Sequence, residues 1–145
     1  MTITRFDHIG ITVADLDAAT AFFVNLGLEV EGTGFVEGEF VETVCAIPGA
    51  RCRIAMLRAP GSPVRLELSS FDFPEHTPGS PDALATEVGL RNVSFEVDDL
   101  QATVDALAAD GYGLVGGIGE YEGSVRMAYV RGPEGIVVSL FEQLG

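Results

Sequence analysis

Lysine is missing from this chain and cysteine nearly so: all eight basic residues are arginine, and Cys45 and Cys52 are the only thiols. Against eight arginines stand 22 acids, giving a formal charge of −14. Phosphate binding needs clustered positive charge, so no nucleic-acid partner is expected. Two cysteines without a second pair make neither a disulfide framework nor a structural zinc knot, and both are expected to be buried as small apolar residues. No apolar run is long enough to cross a bilayer, and no basic stretch followed by an apolar segment opens the chain. The expectations are no membrane association and a cytoplasmic address.

What is present is enough for one globular domain with a real core: 145 residues, 47% hydrophobic and 21% charged. The acids gather at Glu29, Glu31, Glu37, Glu39 and Glu42 and again at Glu96, Asp98 and Asp99. Such runs make a solvated, solubilising face, or they attract a cationic ligand.

An internal repeat organises the chain. "FDHIGITVADLDA" at residues 6–18 and "LRNVSFEVDDLQA" at 90–102 align without a gap, sharing Val13 and Val97, Asp15 and Asp99, Leu16 and Leu100, and Ala18 and Ala102. Each copy begins with a predicted strand, Phe6 to Val13 and Leu90 to Val97. Asp15 and Asp99 stand where a helix would be capped. Apolar residues then follow at helical spacing: Leu16, Ala19, Phe22, Phe23 and Leu26 in one copy, Leu100, Thr103, Leu107 and Ala108 in the other. Gly27 and Gly111 mark the predicted helix ends. Each copy closes with a predicted hairpin, "RIAMLRAPGSPVRLELSSF" and "RMAYVRGPEGIVVSLFEQ", turned at Pro60 and Gly61 and at Gly132, Pro133 and Gly135.

The prediction is therefore an α+β domain spanning 1–145, built of two tandem βαβββ modules. The first covers about 1–71, a Pro-, Gly- and Ser-rich connector 72–89, and the second about 90–145. In the first module "GEFVETVCAIPG" is an insertion whose apolar residues follow a helical pattern. It is read as a short helix ending at Pro48, the wall or lid of a cavity. "GYGLVGGIGEYEG", residues 111–123, lacks the order and the helix of a dinucleotide or phosphate loop, and is read as a strand and a mobile rim loop.

With "DHIGITVADLDAATAFF", "VRLEL" and "GPEGIVVSL" in place, nearly the whole chain resembles the vicinal oxygen chelate superfamily, the glyoxalase, bleomycin-resistance and extradiol-dioxygenase group. The resemblance implies two curled mixed sheets enclosing a cleft. It also implies a metal site with a histidine from the first strand and a glutamate from the last strand of each module. His8 and Glu67 match in the first module; Asn92 and Ser139 take those places in the second. Imidazole and carboxylate are good ligands for zinc, nickel, manganese or iron, whereas an amide oxygen or a hydroxyl is a weak one. The expected cofactor is none, or a weakly bound divalent metal on His8 and Glu67. His76, the other histidine, is either a third ligand or a solvated loop residue.

Strand alternation places Phe6, His8 and Gly10 on one face, with Arg65, Glu67 and Ser69, then Asn92, Ser94 and Glu96, then Val137, Ser139 and Phe141. His8 and Glu67 are read either as a hydrogen-bonded internal pair or as a general acid/base or ligand anchor. Asn92, Ser139, Arg65 and Arg91 are candidate ligand contacts, the arginines alternatively ion-pair partners. Phe35, Phe40, Tyr129 and Phe141 either line the cleft for stacking or fill the core. The resemblance further implies a homodimer, in which the cleft is built within one chain or shared. Two functions stay open: a protein that binds a small antibiotic- or natural-product-like molecule, or a metal-dependent lyase, isomerase or ring-cleaving dioxygenase using His8 and Glu67.

Overall fold

The computed structural model describes residues 2–145. The chain divides into two compact units, one ending at Pro78 and the other Gly79–Gly145. The first contains β1 (His8–Thr12), α1 (Leu16–Leu26), β2 (Glu29–Glu37), α2 (Glu39–Cys45), β3 (Arg51–Arg58) and β4 (Arg65–Phe73). The second contains β5 (Val93–Glu96), α3 (Leu100–Ala109), β6 (Gly119–Tyr121), β7 (Val125–Arg131) and β8 (Val137–Gln143), with a 3₁₀ turn at Pro133–Gly135. The architecture is α+β, two curled four-stranded mixed sheets. Strand order is β1-β4-β3-β2 in one and β5-β8-β7-β6 in the other.

The topology repeats step for step. β1 runs parallel to β4 and β5 parallel to β8, and the remaining pairs are antiparallel. A parallel neighbour requires a crossover, which the helix supplies in each unit. Asp15 accepts a hydrogen bond from the Ala18 amide and Asp99 from the Ala102 amide, each at 3.0 Å. At the first helix end Gly27 adopts φ +124°, and the Leu28 amide reaches back to the Phe23 carbonyl at 3.0 Å. Only glycine takes that conformation at little cost. Gly111 does the same with φ +94°, so that the Tyr112 amide bonds the Leu107 carbonyl at 2.9 Å.

Each sheet buries one face under its helix. Phe22, Phe23 and Ala19 of α1 are buried along with Val13, Ala55, Leu57, Leu66 and Leu68; Leu100, Val104 and Leu107 of α3 along with Ala128, Val130, Val138 and Leu140. A fully buried side chain of this size contributes about 1.5–3 kcal/mol.

Several local expectations are corrected. Val104, not Ala108, faces inward on α3; Ala108 is exposed just past the edge of the buried stripe. The opening strands are shorter than predicted. β4 extends to Phe73, into the predicted connector, because β3 pairs with it as far as Arg51. Cys45 is exposed at the end of α2, whereas Cys52 is buried as expected. α2 forms from the insertion and stops at Ala46, in the left-handed region two residues before Pro48.

Candidate functional site

In the first unit, alternation sends Ile9, Ile11, Leu66 and Leu68 toward α1 and leaves the opposite face to His8, Gly10, Arg65, Glu67 and Ser69. The register of β1 on β4 sets Gly10 beside Glu67, so His8 reaches Glu67 diagonally. His8 Nε2 lies 3.7 Å from Glu67 Oε2. That separation makes them close neighbours and not the hydrogen-bonded pair considered from sequence. The side chains keep 36% and 25% of their surface, so both are reachable from solvent.

The true partner of His8 is a residue that sequence reasoning passed over. His8 Nδ1 donates to Asp7 Oδ2 at 2.7 Å. Arg65 clamps the same carboxylate with one nitrogen at 2.6 and 2.7 Å from its two oxygens, and Arg5 also pairs with it. The His8 and Arg65 hydrogen bonds, in that order, hold the Asp7 carboxyl well below its ordinary value of 3.8. Arg65 continues to Glu31 at 3.1 Å, and Glu31 binds Arg58 at 2.7 Å. Glu31, read as one of a solvated run of acids, is therefore a bracket between two arginines. The signal for Asp7 was its place directly before His8 in "DHI". Glu31 had none, because it meets Arg58 and Arg65 only through the register shift between Val30 and Gly32.

Arg65 thus acts as an ion-pair partner. Asp7 fixes the ring of His8 and leaves Nε2 facing Glu67. In the neutral ring, two hydrogen-bond acceptors then converge on the open face.

The donor set decides what ion could be held there. His8 and Glu67 are two strong ligands, where a catalytic zinc commonly has three, and an iron facial triad needs two histidines. Among the described residues no group of three or more His, Cys, Asp or Glu is placed to hold a metal ion. His76 does not complete the set. Its Nε2 accepts from the Phe71 amide at 3.0 Å and its ring packs against the edge of Phe71, so it secures the end of β4. A resident transition metal does not fit the pair as it stands.

In the second unit, Asn92 sits exposed just before β5, and Ser139 is buried in β8 between Ser94 and Tyr129 of the neighbouring strands. Phe141 lies half-buried opposite Met127, two residues along the same face. Arg91 binds Glu87 at 3.1 Å and the Gly89 carbonyl, an ion-pair role. Two aromatic candidates in the first unit are not brought to the site. Phe40 points outward from α2 with 80% of its surface free. Phe35 stands opposite Arg53 and so shares the face of Ser70, not of Glu67. Neither is a core residue, Phe35 being 51% exposed. Burial pushes the Cys52 thiol up, consistent with an inert core group.

Residues 7–129 match the profile of the Glyoxalase/Bleomycin resistance protein/Dioxygenase superfamily. A glyoxalase family protein from Bacillus cereus is similar over 100% of this chain and 97% of its own, with 37% identity and a TM-score of 0.96. An antibiotic binding protein from a Streptomyces species shares the fold at 23% identity and a TM-score of 0.66, covering 99% of this chain and 98% of its own. A fosfomycin resistance protein from Listeria monocytogenes does so at 14% identity and a TM-score of 0.62, covering 99% and 95%. No curated protein matches the chain.

Proposed function

Because the chain belongs to the Glyoxalase/Bleomycin resistance protein/Dioxygenase superfamily, we propose that it is a small-molecule binding protein that works without a resident metal. Its ligand is held on the His8–Glu67 face of the first sheet. The observation that carries this reading is the pairing of His8 Nδ1 with Asp7, which leaves Nε2 and the Glu67 carboxylate as converging acceptors 3.7 Å apart. Such a pair selects a ligand bearing a hydroxyl, amine or other donor, and the formal charge of −14 favours a neutral or cationic one. The fold is shared with an antibiotic binding protein and a fosfomycin resistance protein, which supports an antibiotic- or natural-product-like ligand.

A second reading is favoured by the same carboxylate–imidazole bond, which is also how a reactive histidine is oriented. In it His8 acts as general base or acid, with Glu67 holding the substrate, in a lyase, isomerase or dioxygenase. Metal content of protein purified without chelators separates the two. We expect far less than one equivalent of transition metal, together with saturable uptake of an aromatic or glycopeptide antibiotic whose mass is unchanged. Glu67→Ala should abolish that uptake. A stoichiometric metal lost in His8→Ala, or turnover of the ligand, would instead establish the enzyme.

The same reading includes a homodimer, to be checked by light scattering. It also includes a cytoplasmic address, which suits the exposed free thiol of Cys45.

A further inference from the structure

Residues 38–50 leave the β2–β3 hairpin and return to it. Val36 stands opposite Cys52 and Glu37 opposite Arg51, so the two ends of the excursion are neighbours in the sheet. α2 takes the first part of it and residues 46–50 run back. The helix is lightly fastened. It has seven residues, short of the ~12–15 at which an isolated helix becomes even marginal in water. Gly38 before it, at φ +101°, has no side chain to cap it, and the helix buries Val41. It ends at Ala46 with φ +57°, a conformation that costs any residue but glycine. The fastening falls to Glu42: its carbonyl accepts from the Ile47 amide at 3.2 Å and its carboxylate from the Gly49 amide at 2.9 Å, folding the return segment back on the helix.

The chain's two thiols stand on either side of that return segment. Cys45 closes α2 and is exposed, whereas Cys52, the second residue of β3, is buried. The fold-back sets them close enough for a charge on Cys45 to act on the Cys52 thiol. Burial, the larger cause, keeps Cys52 protonated and so spares it from direct oxidation, leaving Cys45 to react first.

We propose that Cys45 and Cys52 form a reversible disulfide within the chain, a redox switch that ties the end of α2 to β3. A peroxide starts it. The Cys45 thiolate attacks one peroxide oxygen, the O–O bond breaks, hydroxide leaves and Cys45 becomes a sulfenic acid. When the Glu42 fastening opens, the Cys52 sulfur gives up its proton and attacks the Cys45 sulfur. The S–S bond forms, the S–O bond breaks and water leaves; both thiols are oxidised and the peroxide is reduced to water. A dithiol reverses the change by exchange, as a sensing bond in a reducing compartment requires. The switch is independent of the His8–Glu67 reading.

The test treats the reduced, full-length protein with hydrogen peroxide. Both thiols should disappear together, the monomer should become two hydrogens lighter, and dithiothreitol should restore it. Trypsin cuts after Arg51 and Arg53, so the bond should appear as residues 52–53 linked to the peptide 6–51. Amide exchange across 42–50 should slow on oxidation. Glu42→Ala removes the acceptor of the Gly49 amide and should speed the disulfide roughly three- to tenfold. Cys52→Ala, with unchanged circular dichroism, should instead gain oxygen at Cys45. A parent that gains oxygen without losing two hydrogens, a disulfide found only between chains, parental rates in Glu42→Ala, or exchange across 42–50 that oxidation does not slow each overturns the switch.

Discussion

The two halves of the molecule keep the same buried face and differ on the other. Under α1 and α3 the matching positions are apolar in both: Val13 and Val97, Leu66 and Val138, Leu68 and Leu140. On the opposite face His8 becomes Asn92, Arg65 becomes Val137 and Glu67 becomes Ser139. The first sheet holds a linked set of ions, Asp7, His8, Arg65, Glu31 and Arg58. Its counterpart presents neutral amide and hydroxyl groups with Tyr129 and Met127. The two units therefore share the apolar helix-side face and differ chemically on the other, where a site can be placed without changing the scaffold.

The sharpest challenge to that equivalence lies in the cores. Leu68→Ala and Leu140→Ala remove fully buried side chains at matching places, and each should cost about 2–5 kcal/mol in urea unfolding. A cost confined to one half would show that the two faces are not equivalent supports.

The caps come next. Asp15→Ala and Asp99→Ala each lose a 3.0 Å bond to a helix amide and should each lower stability by about 0.5–2 kcal/mol. The second helix has extra help, since Glu142 accepts from the Leu100 amide at 2.7 Å. The second unit has no part in His76→Leu, which deprives the Phe71 amide of its acceptor. That change should cost about 1 kcal/mol and loosen amide-exchange protection at the end of β4.

The smallest effect at neutral pH is expected from Arg65→Met, because half-exposed ion pairs are screened by water. Its value lies in its pH dependence. The Asp7 carboxyl is held below its ordinary 3.8 in the folded chain, so its contribution is present above that value and is lost as pH falls toward the folded one. The stability gap between the parent and Arg65→Met should be open at pH 7 and shrink below about pH 4. A gap independent of pH would mean that Arg65 acts through packing alone.

Much of this was legible in the chain. The repeat, the two Asp caps, Gly27 and Gly111, both hairpins and the α2 insertion all carry local signals, and all appear. His8 and Glu67 were brought together by the family resemblance, and strand alternation put each on the face away from the helix; the register that sets them 3.7 Å apart joins two strands distant in the chain. Asp7 was visible but unread, and Glu31 was unreadable, since a bulge rather than a spacing brings it to Arg58 and Arg65. Phe35 and Phe40 do not fill the core, one of the two places read for them, because an aromatic side chain states a preference for burial without naming a face. Cys45 failed for the same reason.

By itself the sequence determined the duplicated βαβββ order, the helix ends and the apolar face of each sheet, because caps, turns and alternation act over a few residues. Only the tertiary structure decided which acid orients His8, that His76 is spent on the Phe71 amide, and that Cys45 is left exposed. Those outcomes depend on strand register and on which way each side chain is turned: Asp7 adjoins His8 in the chain, but Arg65, from a distant strand, holds the same carboxylate, and a register shift of one position would exchange one partner for another.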